Sequence, residues 1–122
     1  MEEFKLDELK EAVHKYTYDV LYRLKIMDCA PDMVQIGNEI RSGMLFPDGA
    51  VPQYRQLAAL VNEGIRAVRE LLPETKVMIH LDQGADITVL CLGLILCLMR
   101  ACCRLTRLAF PFIRSGMVPS WI

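Results

Sequence analysis

The chain has 122 residues and a formal net charge of −1, a one-domain length that can bury a real core but falls short of the roughly 250 residues of a complete α/β barrel. A near-neutral balance argues against a nucleic-acid binder as a whole. The average conceals two halves: residues 1–86 hold 10 Lys+Arg against 15 Asp+Glu, whereas residues 87–122 hold Arg100, Arg104, Arg107 and Arg114 and no acid.

The opening stretch, MEEFKLDELKEA, is acidic and amphipathic. It lacks the basic n-region and apolar h-region of a secretory signal, so none is expected in this chain. From Phe4 to Lys25 the apolar positions Leu6, Leu9, Val13, Tyr16, Val20 and Leu24 recur at three- and four-residue steps, which predicts an amphipathic helix. Glu8, Lys10, Glu11, Lys15 and Asp19 form its solvated face, and His14 is expected in solvent too. Ala30-Pro31-Asp32 is expected to stop this helix.

Met33, Val34 and Ile36 then form a short apolar run bounded by turn residues, which predicts a strand buried on both faces, as in a parallel sheet. The polar pair Asn38-Glu39 follows directly, and after it a loop, Arg41–Pro52, punctuated by Gly43, Pro47, Gly49 and Pro52. Connections of this length in compact domains tend to be functional. A second stripe, Leu57, Leu60, Val61, Ile65, Val68 and Leu71, predicts a helix over Tyr54–Leu72, closed by Pro73. The run KVMIHL (Lys76–Leu81) predicts a second strand with the polar His80 at its end. Helix, strand, loop, helix, strand is a βαβ unit whose strands point their C-terminal ends the same way. Glu39 and His80 are therefore expected on one rim.

A glutamate at the C-terminal end of a parallel strand sits where barrel enzymes keep catalytic groups, because the strand fixes the side chain and the loops shape the cleft. Such a carboxylic acid protonates a leaving oxygen if burial raises its pKa toward neutrality, and Asn38 beside it can bond a sugar hydroxyl. Alone, the dipeptide is a weak signal; a loop salt bridge is the ordinary alternative. The five cysteines add little. Cys91, Cys97 and the vicinal Cys102-Cys103 have no neighbouring His, so neither a zinc site nor a disulfide framework is indicated.

The whole stretch is more specific. YTYDVLYRLKIMDCAPDMVQIGNEIRSGMLFPDG, followed by LAALVNEGIRAVRELLPETKVMIHLDQGAD, resembles the arabinogalactan endo-β-1,4-galactanases, glycoside hydrolase family 53, over about residues 12–86. The GNEI, GML(W/F)P and KVMIHL elements carry the resemblance in the family's order and spacing. It implies an α/β fold, part of a (β/α)8 barrel, with this chain holding the third helix, fourth strand, fourth helix and fifth strand. It implies a retaining glycosidase acting on β-1,4-galactan or pectic arabinogalactan through two glutamates, with no cofactor or metal. Glu39 would be the general acid/base, Asn38 its sugar-binding neighbour, and Phe46 would stand where the family usually has Trp, with less area for a galactose ring. His80 would serve as a sugar-subsite residue, its alternative being a packed imidazole at the rim. The nucleophile, which retention requires about 5–5.5 Å from the acid/base, comes from the seventh strand, which the chain is not expected to reach. Asp82 and Asp86 read as loop or subsite residues. Full-length members of the family are typically secreted.

After Asp86 the grammar changes. Ile87–Met99 is thirteen residues with no polar side chain except Thr88 and no clean period. It is shorter than the roughly 18 residues of a transmembrane helix, although Arg100, Arg104 and Arg107 would suit the flank of an anchor; a buried helix is the usual alternative. A third explanation comes from codon degeneracy. Read from the third base of each codon, Ala109–Ile122 permits Leu-Ser-Leu-Tyr-Pro-Phe-Trp-His-Gly-Thr-Phe-Met-Asp, which contains the family's Tyr-Pro-x-Trp-His-Gly element, and Leu92–Ile95 permits Trp-Phe-Asp. The expectation is therefore two regions: 1–86, a partial hydrolase barrel, and 87–122, an out-of-frame tail that is apolar, basic and helical. The competing readings are a small membrane-associated protein anchored through Ile87–Met99 and a galactan-binding remnant without catalysis.

Overall fold

A computed structural model of the protein describes residues 2–50, 53–80 and 107–109. In chain order these form helix α1 (Glu2–Ile26), strand β1 (Met33–Ile36), a 3-10 turn (Ile40–Ser42), helix α2 (Tyr54–Leu71), strand β2 (Lys76–His80) and strand β3 (Arg107–Ala109). The sheet has the order β1-β2-β3, and both pairings are parallel. Met33 to Ile36 lie opposite Lys76 to Ile79, so the two polar strand ends come to the same rim.

The core is built by α2. Leu57, Leu60, Val61, Ile65 and Val68 repeat at helical spacing and are all buried. Leu57, Val61, Ile65 and Val68 close over Ile36, Val77 and Ile79 of the sheet. Each such side chain contributes about 1.5–3 kcal/mol of transfer free energy. Gly64 lets the helix approach: a Cβ there would meet Ile36 Cγ2 at 2.9 Å.

α1 ends differently from the sequence expectation. The Asp28 N–H donates to Lys25 O at 3.1 Å, the Cys29 N–H donates to Leu24 O at 2.9 Å, and Asp28 has φ 58. That pair of bonds around a left-handed residue is a Schellman cap, so the helix stops before Ala30-Pro31. Lys25 Nζ then donates to Leu71 O at 2.9 Å, satisfying a carbonyl at the end of α2. The starts of the two strands are tied together as well. Thr75 Oγ1 donates to Pro31 O at 2.9 Å, and Lys76 N–H donates to Asp32 O at 3.0 Å.

Three further expectations are corrected. His14 is half-buried and lies 2.9 Å from Glu70 Oε2 through Nε2, bridging α1 to α2, with Tyr18 stacked on its ring. The strand expected to be buried on both faces is buried on one, and among the described residues β2 is its one strand neighbour. Ile36 is buried and Val34 half-buried toward the helices, while Met33 and Gln35 are exposed on the other face. The α1 stripe expected to face the core is open at Tyr16, 73% exposed, and Val20, 41% exposed; of that stripe Leu24 packs against the core, joined there by Tyr18 and Leu21, which the stripe did not include.

No helix of the described residues is long and apolar enough to cross a membrane. The segment Ile87–Met99, Asp82, Asp86 and the four cysteines of the tail lie outside the described residues. So does the expected helical tail, except that Arg107–Ala109 is extended and pairs with Met78–His80.

Candidate active site

The rim begins where β1 turns back on itself. Gly37 and Glu39 both lie in the left-handed region, at φ 73 and φ 50, a conformation that is free for glycine but costs about 1–3 kcal/mol for other residues. The fold compensates through Ile40, which follows and is 1% exposed in the core. Glu39 thus stands at the start of the 3-10 turn with its side chain in solvent. Burial of this carboxyl, which the sequence argument required for an acid working near neutral pH, is not supplied by the described residues.

Asn38 is held by two elements. Gln35 Nε2 donates to Gly37 O at 2.8 Å and to Asn38 Oδ1 at 3.1 Å, while His80 Nδ1 lies 3.0 Å from the same Oδ1. The chemistry of these atoms fixes the roles. A backbone carbonyl only accepts, so the Gln35 atom facing it is the amide nitrogen; the Asn38 atom facing that nitrogen is then an oxygen, and His80 Nδ1 must carry a proton. With Oδ1 occupied twice, Asn38 Nδ2 has no partner among the described residues and is available to donate to a ligand hydroxyl. The structure therefore joins Asn38 and His80 across the ends of β1 and β2.

Gln35 was not singled out from the sequence. The available signal was a polar residue inside the apolar run MVQI, on the strand face that alternation shares with the rim.

The loop after the 3-10 turn is closed on itself. Gly43 and Ala50 form an antiparallel bridge, Met44 N–H donates to Gly49 O at 3.0 Å and Ala50 N–H donates to Pro47 O at 3.1 Å. Gly43, at φ 108, and Gly49 permit this closure, since a Cβ on either would run into the opposite backbone strand of the loop. At its tip Phe46, joined to Pro47 by a cis peptide, is 66% exposed, and Leu45 is 42% exposed. An amide donor and a carboxylate on the strand end, with an exposed aromatic on the adjoining loop, can bind a hydroxyl-rich ring. No group of three His, Cys, Asp or Glu among the described residues could hold a metal ion.

The model of glycosyl hydrolase family 53 matches residues 2–92. The chain belongs to this family. It is 46% identical over 93 residues to the "uncharacterized protein in bgaB 5'region" of Niallia circulans, covering 70% of this chain and 25% of that protein. It is 36% identical over 83 residues to the arabinogalactan endo-beta-1,4-galactanase of Thermothelomyces thermophilus, covering 66% of this chain and 25% of the enzyme. Among solved structures, the family 53 catalytic domain of Ignisphaera aggregans superposes with a TM-score of 0.78 at 36% identity, over 88% of this chain and 29% of that domain. This family 53 chain thus spans about a quarter of the length of the curated relatives it matches. Its α/β architecture is that of part of a larger catalytic domain.

Proposed function

We propose that this chain is a segment of a retaining β-1,4-galactan endo-hydrolase, comprising the third helix to the fifth strand of a (β/α)8 barrel. In this reading Glu39 is the general acid/base, Asn38 donates to a hydroxyl of the sugar being cleaved, and His80 and Phe46 line subsites for galactan or pectic arabinogalactan. The observation that carries it is the rim itself: Asn38, beside Glu39 at the end of β1, accepts from His80 at the end of a parallel β2, in a chain of family 53. Retention requires a nucleophilic carboxylate opposite Glu39, and the chain by itself supplies only half of the pair. Residues from about Ile87 onward are read as an out-of-frame translation of the same gene.

Two measurements test this. Incubated with β-1,4-galactan, the 122-residue chain is expected to release no reducing ends, and robust turnover would refute the split catalytic pair. Placing residues 12–86 into the corresponding part of the Thermothelomyces thermophilus galactanase tests Glu39 directly. The chimera is expected to cleave galactan, and its Glu39→Gln form to lose about 10²–10⁴ in kcat, the usual worth of a general acid/base. Equal rates for the two chimeras would remove Glu39 from the chemistry.

A further inference from the structure

Gln35 is the one polar side chain inside the apolar run of β1. Side chains alternate faces along a strand, so Gln35 of β1 and Met78 and His80 of β2 share the sheet face away from the buried Ile36, Val77 and Ile79. In the parallel register Gln35 lies opposite Met78, which makes His80 its diagonal neighbour. Asn38 Oδ1 joins the two, 3.1 Å from Gln35 Nε2 and 3.0 Å from His80 Nδ1.

An amide and a neutral imidazole each carry both a donor and an acceptor. Asn38 and His80 by themselves therefore admit two arrangements of similar geometry: Oδ1 accepting from a protonated Nδ1, or Nδ2 donating to a bare Nδ1. Gln35 removes this choice, because its Nε2 also donates at 2.8 Å to Gly37 O, a carbonyl that can only accept. The anchor is itself held. Gly37, at φ 73, packs so closely on the buried Ile40 that a Cβ would lie 2.5 Å from Ile40 Cγ2.

Direction thus passes from the Gly37 carbonyl to Gln35, from Gln35 to Asn38 and from Asn38 to His80. Two atoms are left for a ligand: Asn38 Nδ2 as a donor and, in the neutral ring, His80 Nε2 as an acceptor. With the amide of Asn38 turned over, donor and acceptor would exchange places.

We propose that Gln35 is a positioning residue of the candidate site, which sets through Asn38 the donor and acceptor pattern that the rim offers to a sugar. The orientation follows from the contacts within this chain. Its effect on turnover rests on Asn38 and Glu39 belonging to a galactan-cleaving site.

Gln35→Met and Gln35→Glu test the orientation in the labelled 122-residue chain, read by long-range proton–nitrogen correlation spectra of the neutral His80 ring. Gln35 is exposed, so neither substitution enters the core. The parent is expected to carry its proton on Nδ1. Gln35→Met removes the constraint, and both tautomers are expected to be populated. Gln35→Glu replaces the donor by an acceptor, so the Asn38 amide is expected to turn over and the proton to move to Nε2. A side chain that only braced the strand end would not reverse the ring. The proposal is overturned if Nδ1 stays protonated in both variants, or if it is bare in the parent.

The effect on turnover is read in the chimera that carries residues 12–86 within the Thermothelomyces thermophilus galactanase. Gln35→Met is expected to lower kcat/KM by about tenfold or more, and to cost nothing further once Asn38→Ala is present, because Gln35 acts through Asn38. No loss, or an equal loss in both backgrounds, overturns the proposal. A chimera indifferent to Glu39→Gln defeats the catalytic reading instead, and the His80 spectra then decide Gln35 by themselves.

Discussion

Asn38 shows how a single amide acquires a direction. Its oxygen takes hydrogen bonds from Gln35, two positions before the end of β1, and from His80 on β2, so its nitrogen is left for a ligand. A testable consequence follows for the imidazole. In the neutral ring of labelled protein, Nδ1 of His80 is expected to be protonated and Nε2 bare, and Asn38→Ala is expected to abolish that preference. Long-range proton–nitrogen correlation spectra read the tautomer directly, and a bare Nδ1 in the parent would refute the assignment. At this scale the sequence was partly legible: Asn38, Glu39, Phe46 and His80 stand out as polar or aromatic residues where apolar runs give way to loops. The left-handed backbone at Glu39 and the part played by Gln35 were not, because both depend on how β1 turns over Ile40.

The elements differ in how well their periods describe them. α2 has a clean stripe, and its bounds, Tyr54–Leu71, match the sequence reading to within a residue. α1 does not, because apolar residues occupy two of its sides and most of the more regular stripe faces a groove between α1 and β1 rather than the core. Its end also escaped, since Asp28 takes a cap position usually held by glycine. The contact between α2 and β1 gives a case in which two effects oppose. Gly64→Ala would add helix propensity of about 1 kcal/mol, but its Cβ would press on Ile36 Cγ2 at 2.9 Å and Ile36 Cδ1 at 3.3 Å, and overpacking a filled core costs about 1–3 kcal/mol. Ile36 is 6% exposed and has little room to move. A net loss of up to about 2 kcal/mol is expected in urea denaturation; a more stable variant would show that the interface yields.

At the scale of the molecule, the described residues form one face of a larger object. Among the described residues, helices cover one side of the three-stranded sheet, while Met33 and Gln35 look out from the other. β3 pairs with β2 at Arg107–Ala109, just before the stretch whose third-base frame permits Tyr-Pro-x-Trp-His-Gly. The out-of-frame proposal predicts that element in the gene's nucleotide sequence, and reading the codons for residues 109–122 decides it; a frame without it would end the idea. By itself, the sequence determined the order of the elements from α1 to β2, the parallel arrangement of β1 and β2, and the place of Asn38, Glu39 and His80 at strand ends. Local periodicity and turn chemistry act over a few residues and are written in the chain. Only the tertiary structure decided which side of α1 meets the core, that one face of β1 is exposed, and that Asn38 is clamped between two strands. Those outcomes depend on contacts between residues far apart in sequence, such as His14 with Glu70 and Asn38 with His80, and on which neighbours are there to cover an apolar surface.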